Sequence, residues 1–149
     1  MTLKERLLAA MQEGGPAAGI TVCADEAERL ATETSARLGV AVRRTSDRAR
    51  NPANDPNDWQ ARGLADLTRR LATGETGPSL VWMESDEQEV RVMLPIVTEP
   101  LCLTCHGVEL APGVQEALAQ RYPDDQATGY AAGDLRGAFS VRWPVHPDH

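Results

Sequence analysis

At 149 residues, 42% hydrophobic and 25% charged, the chain has the length and composition of one soluble globular domain that can build its own core. A net charge of −7 and a pI near 4.9 argue against nucleic acid or an anionic membrane surface as a partner, because both reward positive charge. No apolar run approaches the roughly 20 residues that a bilayer span needs, so direct membrane insertion is not expected either.

Residues 3–12 place Leu3, Leu7, Ala10 and Met11 on one helical face, and Gly14-Gly15-Pro16 ends that helix. A second helix is predicted from about Pro16 or Ala17 to Leu38, stopped by Gly39. Its apolar stripe is Ile20, Cys23/Ala24, Ala27, Leu30/Ala31, Thr34 and Leu38, so Cys23 points inward. The run from Val40 to Thr45 is short and β-prone, and its two arginines make it a partly exposed strand. Residues 46–58 are rich in Asn, Asp and Pro and read as an ordered loop. A third helix follows from about Pro56 to Ala72, with Trp59, Leu64, Leu67 and Leu71 inward.

Leu80 to Glu84 and Glu89 to Val97 are β-patterned and flank the acidic tip Ser85 to Gln88, the pattern of an antiparallel hairpin. The second of these strands puts Val90, Val92 and Leu94 on one face and Arg91 and Met93 on the other. A short helix is predicted from about Pro112 to Arg121, then a loop from Tyr122 to Asp134. The last strand, Leu135 to Val145, has Phe139, Val141 and Trp143 on one face and Ser140 and Arg142 on the other. Helices first, then an antiparallel sheet with a helical insert, make the fold α+β.

Between the hairpin and the short helix stands Leu101-Cys102-Leu103-Thr104-Cys105-His106-Gly107-Val108. Cys-x-x-Cys-His is the attachment signature of a c-type haem. Two thiols three positions apart reach the two vinyl groups of one porphyrin, and the next residue offers its imidazole to the iron. One motif predicts one covalently attached haem c, with Cys102 and Cys105 as attachment points and His106 as the proximal iron ligand.

Two other chemistries use similar residues. A thioredoxin-like redox pair expects a βαβ context, which is missing around Pro100 to Gly107. A zinc site built on Cys102, Cys105 and His106 lacks a second close-spaced ligand pair, and adjacent Cys105 and His106 are awkward for a closed tetrahedron.

With two of three cysteines on haem, Cys23 is a lone thiol and no structural disulfide forms. The start, Met1 to Arg6, reads as a helix and not as a signal peptide. Covalent haem is normally attached outside the cytoplasm, so a periplasmic or otherwise extracytoplasmic domain is expected, its targeting segment replaced by Met1. For the sixth iron position the soft or nitrogen-bearing candidates are Met83, Met93, His146, His149 and Cys23. Arg43, Arg44, Arg50 and Arg136 can pair with the haem propionates, because arginine suits carboxylates. Tyr130 and Trp59 are candidates to pack on the haem, although core packing explains each as well.

The haem motif together with Tyr122-Pro123-Asp124-Asp125-Gln126-Ala127-Thr128-Gly129-Tyr130, Gly133-Asp134-Leu135-Arg136-Gly137-Ala138, Asn51-Pro52-Ala53-Asn54 and Trp59 resembles a bacterial family of single-haem c-type sensor domains. That family was long catalogued as a domain of unknown function and occurs alone or as the extracytoplasmic part of membrane signalling proteins. The resemblance covers nearly the whole chain. It implies a PAS-like sheet, and a haem with histidine/cysteine ligation whose cysteine comes from an N-terminal helix. In this sequence that cysteine is Cys23. It favours Arg136 among the arginines, since Arg136 lies in the matching stretch.

The function expected is therefore redox or diatomic-gas sensing by a monohaem protein, with a redox partner or a membrane signalling protein downstream. A small electron-transfer cytochrome c is the alternative. An enzyme such as a peroxidase is not expected, because it needs an open iron position where Cys23 would sit.

Overall fold

Two glycines set the course of the N-terminal third of the chain. The structure is a computed structural model and describes residues 2–145. Thr2 starts helix α1 (Leu3–Leu38): its hydroxyl accepts from the Glu5 N–H while the Glu5 carboxylate accepts from the Thr2 N–H. Gly15 breaks the ladder at φ 72° and ψ −171°, and Pro16 follows without an N–H to give. The two helices expected from the sequence are therefore present, joined end to end at a kink. Gly39, at φ 66°, closes the second segment in the left-handed conformation.

After β1 (Ala41–Thr45) the Asn/Pro-rich loop is ordered by a single 3-10 turn at Pro52–Asn54, and the Ser46 N–H donates to Asn54 O at 3.1 Å. Asn57 then caps α2 (Asp58–Ala72), trading hydrogen bonds with Gln60. The rest of the chain is β2 (Trp82–Ser85), β3 (Glu89–Val97), α3 (Leu103–His106), α4 (Pro112–Arg121) and β4 (Leu135–Pro144). The four strands form one antiparallel sheet in the order β1-β4-β3-β2. The chain thus has the α+β arrangement that the sequence pattern predicts, with the PAS-like antiparallel sheet that the family resemblance implies.

The two faces of the sheet are covered unequally. On one face α2 lays Leu64 and Leu67 against Leu80, Met93 and Ala138, with Trp59, Trp82, Leu71 and Leu135 around them. Gly63 permits this approach, since a Cβ there would stand 2.2 Å from the Met93 sulfur. Gln60 Nε2 donates to the buried Ser140 hydroxyl at 2.8 Å, so the polar atoms on that face are matched. The opposite face carries Val92, Leu94, Phe139, Val141 and Trp143. It is the more apolar in sequence, yet Leu94 remains 43% and Phe139 41% exposed. α1 lies over the β1 end of that face only. Leu38, expected on the inward stripe of α1, is 59% exposed, because the helix is ending and turning into β1 there. A second small core joins α1 to α4 through Ile20, Val114 and Leu118, with Cys105 and Tyr122 packed against it.

Candidate functional site

The Cys-x-x-Cys-His stretch is folded as a 3-10 turn, Pro100–Cys102, running directly into the single turn of α3. Helical spacing of three puts Cys102 and Cys105 on one side of this turn, with His106 beside them. The Glu99 N–H donates to Cys102 Sγ at 3.4 Å. Gly107 ends the turn by donating to Leu103 O at 3.0 Å. Its φ of −74° is ordinary, so glycine is needed for space: a Cβ would stand 2.6 Å from Leu103 O.

The loop from Tyr122 to Asp134 docks on the motif through its backbone. Tyr130 N–H donates to His106 O and Gly129 N–H to Gly107 O, both at 2.9 Å. His106 Nδ1–H donates to Ala127 O at 2.7 Å. A carbonyl only accepts, so this bond fixes the tautomer and leaves Nε2 unprotonated, its lone pair an acceptor and the form a metal needs. Arg50 ties the loop to the motif, pairing with Asp125 at 3.0 Å and donating to Cys105 O at 2.6 Å and Ala127 O at 3.2 Å. The side chains of this pair are 11% and 12% exposed.

His106 is held neutral. Burial, followed by the charges of Arg136 and Arg50, pushes its pKa from 6.5 to about 3. The unfolded chain takes up that proton near 6.5 and the folded chain does not. The contribution of His106 to stability is therefore complete above 6.5 and is lost as pH falls toward 3. Urea midpoints of the metal-free chain at pH 7 and pH 4 check this. Wild type is expected to lose more stability over that interval than His106→Gln, whereas equal losses would assign the acid sensitivity to carboxylates alone.

Nε2 of His106 faces a cavity of about 360 Å³, lined also by Cys23, Arg44, Ile96, Tyr122 and Arg136. Cys23 comes from the inward side of α1, one turn beyond Ile20, as the stripe predicts. Burial raises its thiol pKa, and the charges of Arg44, Arg50 and Arg136 oppose that rise. Arg136 Nε lies 3.4 Å from His106 Nε2, and its Nη1 lies 3.3 Å from Ser46 Oγ. Burial is the main cause lowering the Arg136 pKa to about 10.

Of the residues singled out in the sequence, Cys23, His106 and Arg136 thus meet at one cavity, with Cys102 and Cys105 on the turn that carries His106. Tyr130 stands behind the imidazole: its ring meets His106 edge-on at 6.3 Å and 86°, and Arg48 covers it at 3.9 Å. Trp59 corrects an expectation. It stacks on Trp82 at 6.0 Å in the core under α2, on the other face of the sheet, because its helix packs there. Met93 is wholly buried in that same core and Met83 is 66% exposed, and neither lines the cavity. His146 and His149 lie outside the described residues. Sequence spacing missed the Arg50–Asp125 pair and the Ala127 carbonyl, the groups that orient His106.

A profile of the Tll0287-like family matches residues 2–144. The chain is also similar to the crystal structure of the cyanobacterial heme-protein Tll0287, at 27% identity and a TM-score of 0.67, over 86% of this chain and 74% of that one. No curated protein matches it.

Proposed function

The chain belongs to the Tll0287-like family, and from that premise we propose that it is a single-haem c-type protein acting as a redox or diatomic-gas sensor. In this reading Cys102 and Cys105 would hold the porphyrin as thioethers, and His106 and Cys23 would be the residues offered to its iron. The observation that carries this reading is the shared cavity, with a cysteine from α1 and a neutral, correctly tautomerised histidine on its walls. The similar solved protein is described as a heme-protein, which supports haem as the cofactor.

The residues fit such a group. The thiols share one side of a helical turn, His106 offers Nε2, and Arg44 has a buried Nε with no hydrogen-bond partner among the described residues. Haem, when bound, would supply a centre that changes oxidation state. His106 is anchored from behind by Ala127 O, so it keeps its place in either state. Cys23 is different. As a thiolate it is a strong anionic donor that favours ferric iron, and its burial favours the neutral thiol once it is released. With haem bound, Cys23 would be the residue able to take a proton on Sγ and withdraw, and its movement would be felt by α1. A peroxidase-type enzyme is not part of this reading, since Cys23 fills the position that peroxide would need. We place its work outside the cytoplasm, where haem is attached covalently, with a redox partner or a membrane signalling protein as the receiver.

The test is to mature the protein with haem, denature it, and expose the native ferrous form to carbon monoxide across a range of pH. Haem that stays on the denatured chain, with carbon monoxide bound by the ferrous form, is expected. Haem released on denaturation would refute covalent attachment. A ferrous protein that stays six-coordinate and excludes carbon monoxide at every pH would make it an electron carrier.

A further inference from the structure

The cavity is positively charged in a protein whose net charge is −7. Fourteen of the fifteen basic residues are arginine, and most of those within the described residues bond to a carboxylate. Those without one are Arg37, Arg43, Arg44, Arg48 and Arg136. Arg37 and Arg43 are exposed, and Arg43 donates to Ala53 O at 2.7 Å. Arg48 lies against the Tyr130 ring and donates to Thr128 O at 2.7 Å; its Nε also lacks a partner among the described residues, but Arg48 does not line the cavity. Arg44 and Arg136 remain, and both face the cavity.

Among the described residues neither has an anionic acceptor. Arg44 runs beside the Phe139 ring at 6.0 Å, and its Nε is buried without a partner. Arg136 reaches the neutral atoms His106 Nε2 and Ser46 Oγ and lies 5.5 Å from the centre of the Tyr130 ring, none of which carries a counter-charge. Burial lowers the pKa of both guanidiniums. Both are partly buried, and a partly desolvated cation without a counter-charge is disfavoured, so two of them on one cavity make a place for two negative charges. The third lining arginine turned inward, Arg50, is committed to Asp125. The one carboxylate on the lining, Glu28, is exposed.

We propose that Arg44 and Arg136 form a two-point clamp for the paired carboxylates of the haem propionates, and so set which edge of the macrocycle faces β1 and β4. This rests on the haem reading above. Arginine is suited to the task because its planar fork holds a carboxylate by two parallel bonds. Arg136 gives up His106 Nε2 in doing so, since one lone pair cannot serve both a guanidinium and a metal.

The experiment uses the full chain prepared without haem, its thiols reduced, titrated with ferric protoporphyrin IX and separately with the dimethyl ester that lacks both charges. Wild type is expected to bind the diester about tenfold or more weakly than the free acid. In the Arg44→Gln/Arg136→Gln double variant the affinity for the free acid should fall to that of the diester, while Arg43→Gln keeps the difference. Equal affinity of wild type for both porphyrins overturns the clamp and leaves the haem reading standing. A difference that persists in the double variant overturns the assignment to these two residues. Binding of neither porphyrin refutes the haem reading itself, and the clamp with it. Because the ester comparison on wild type needs no substitution, it decides the matter even if the double variant fails to fold.

Discussion

Replacing Cys23 with alanine is expected to remove the low-spin thiolate signature of the ferric protein and to raise its reduction potential by on the order of 0.1–0.3 V. A thiolate stabilises the ferric state through its negative charge and donor strength, and neither Met83 nor Met93 is positioned to replace it. Met93 is locked in the core under α2 and Met83 lies on an exposed strand. The variant should fold, because Cys23 is only half-buried and the change removes one sulfur atom. Visible and electron paramagnetic resonance spectra of the haem-loaded pair, with a potentiometric titration, give the answer. Spectra unchanged by the substitution would reduce Cys23 to a packing residue and leave the electron carrier as the better description.

Asp125→Ala is expected to destabilise the protein by about 3–5 kcal/mol, because it strands the Arg50 guanidinium where both partners are nearly buried. The loss reaches the site as well. Asp125 Oδ1 also accepts from the Ala127 N–H at 2.9 Å, and Ala127 O is the acceptor that orients His106. Urea denaturation of the metal-free chain measures the first effect. Heterogeneous haem spectra in the variant would report the second. Glu99→Ala, which removes the exposed ion pair to Lys4, serves as the control and is expected to change neither. A loss at Asp125 no larger than at Glu99 would mean that the pair does not hold the loop.

Local signals in this sequence were easy to read and long-range ones were not. Gly14-Gly15-Pro16, Gly39 and the Asn/Pro-rich loop act on the backbone within a few residues, and the elements they delimit are present. Cys23 was placed inward by a helical period, and it faces the cavity. Period-two patterning separated the strand faces correctly, yet it could not say which face α2 would cover. Coverage depends on where helices land, and Gly63 against Met93 is invisible in either segment alone. Spacing leaves Trp59 open between haem and core for the same reason, and it lies in the core. The groups that orient His106 left no trace in spacing, since Arg50 and Asp125 lie 75 positions apart and Ala127 contributes only its backbone.

One more consequence lies in the packing of Cys105. Its side chain rests against Ile20, Val114 and Leu118, so the junction of α1 with α4 closes over one of the two thiols. For a chain that takes its cofactor at these thiols, folding and attachment are rivals in time. If haem is attached there as proposed, Cys105 is the thiol that the α1–α4 junction partly covers, and attachment would be faster before α1 docks. Maturation yield then becomes a matter of kinetics, and substitutions that slow the docking of α1 would widen the window for loading even as they weaken the finished protein.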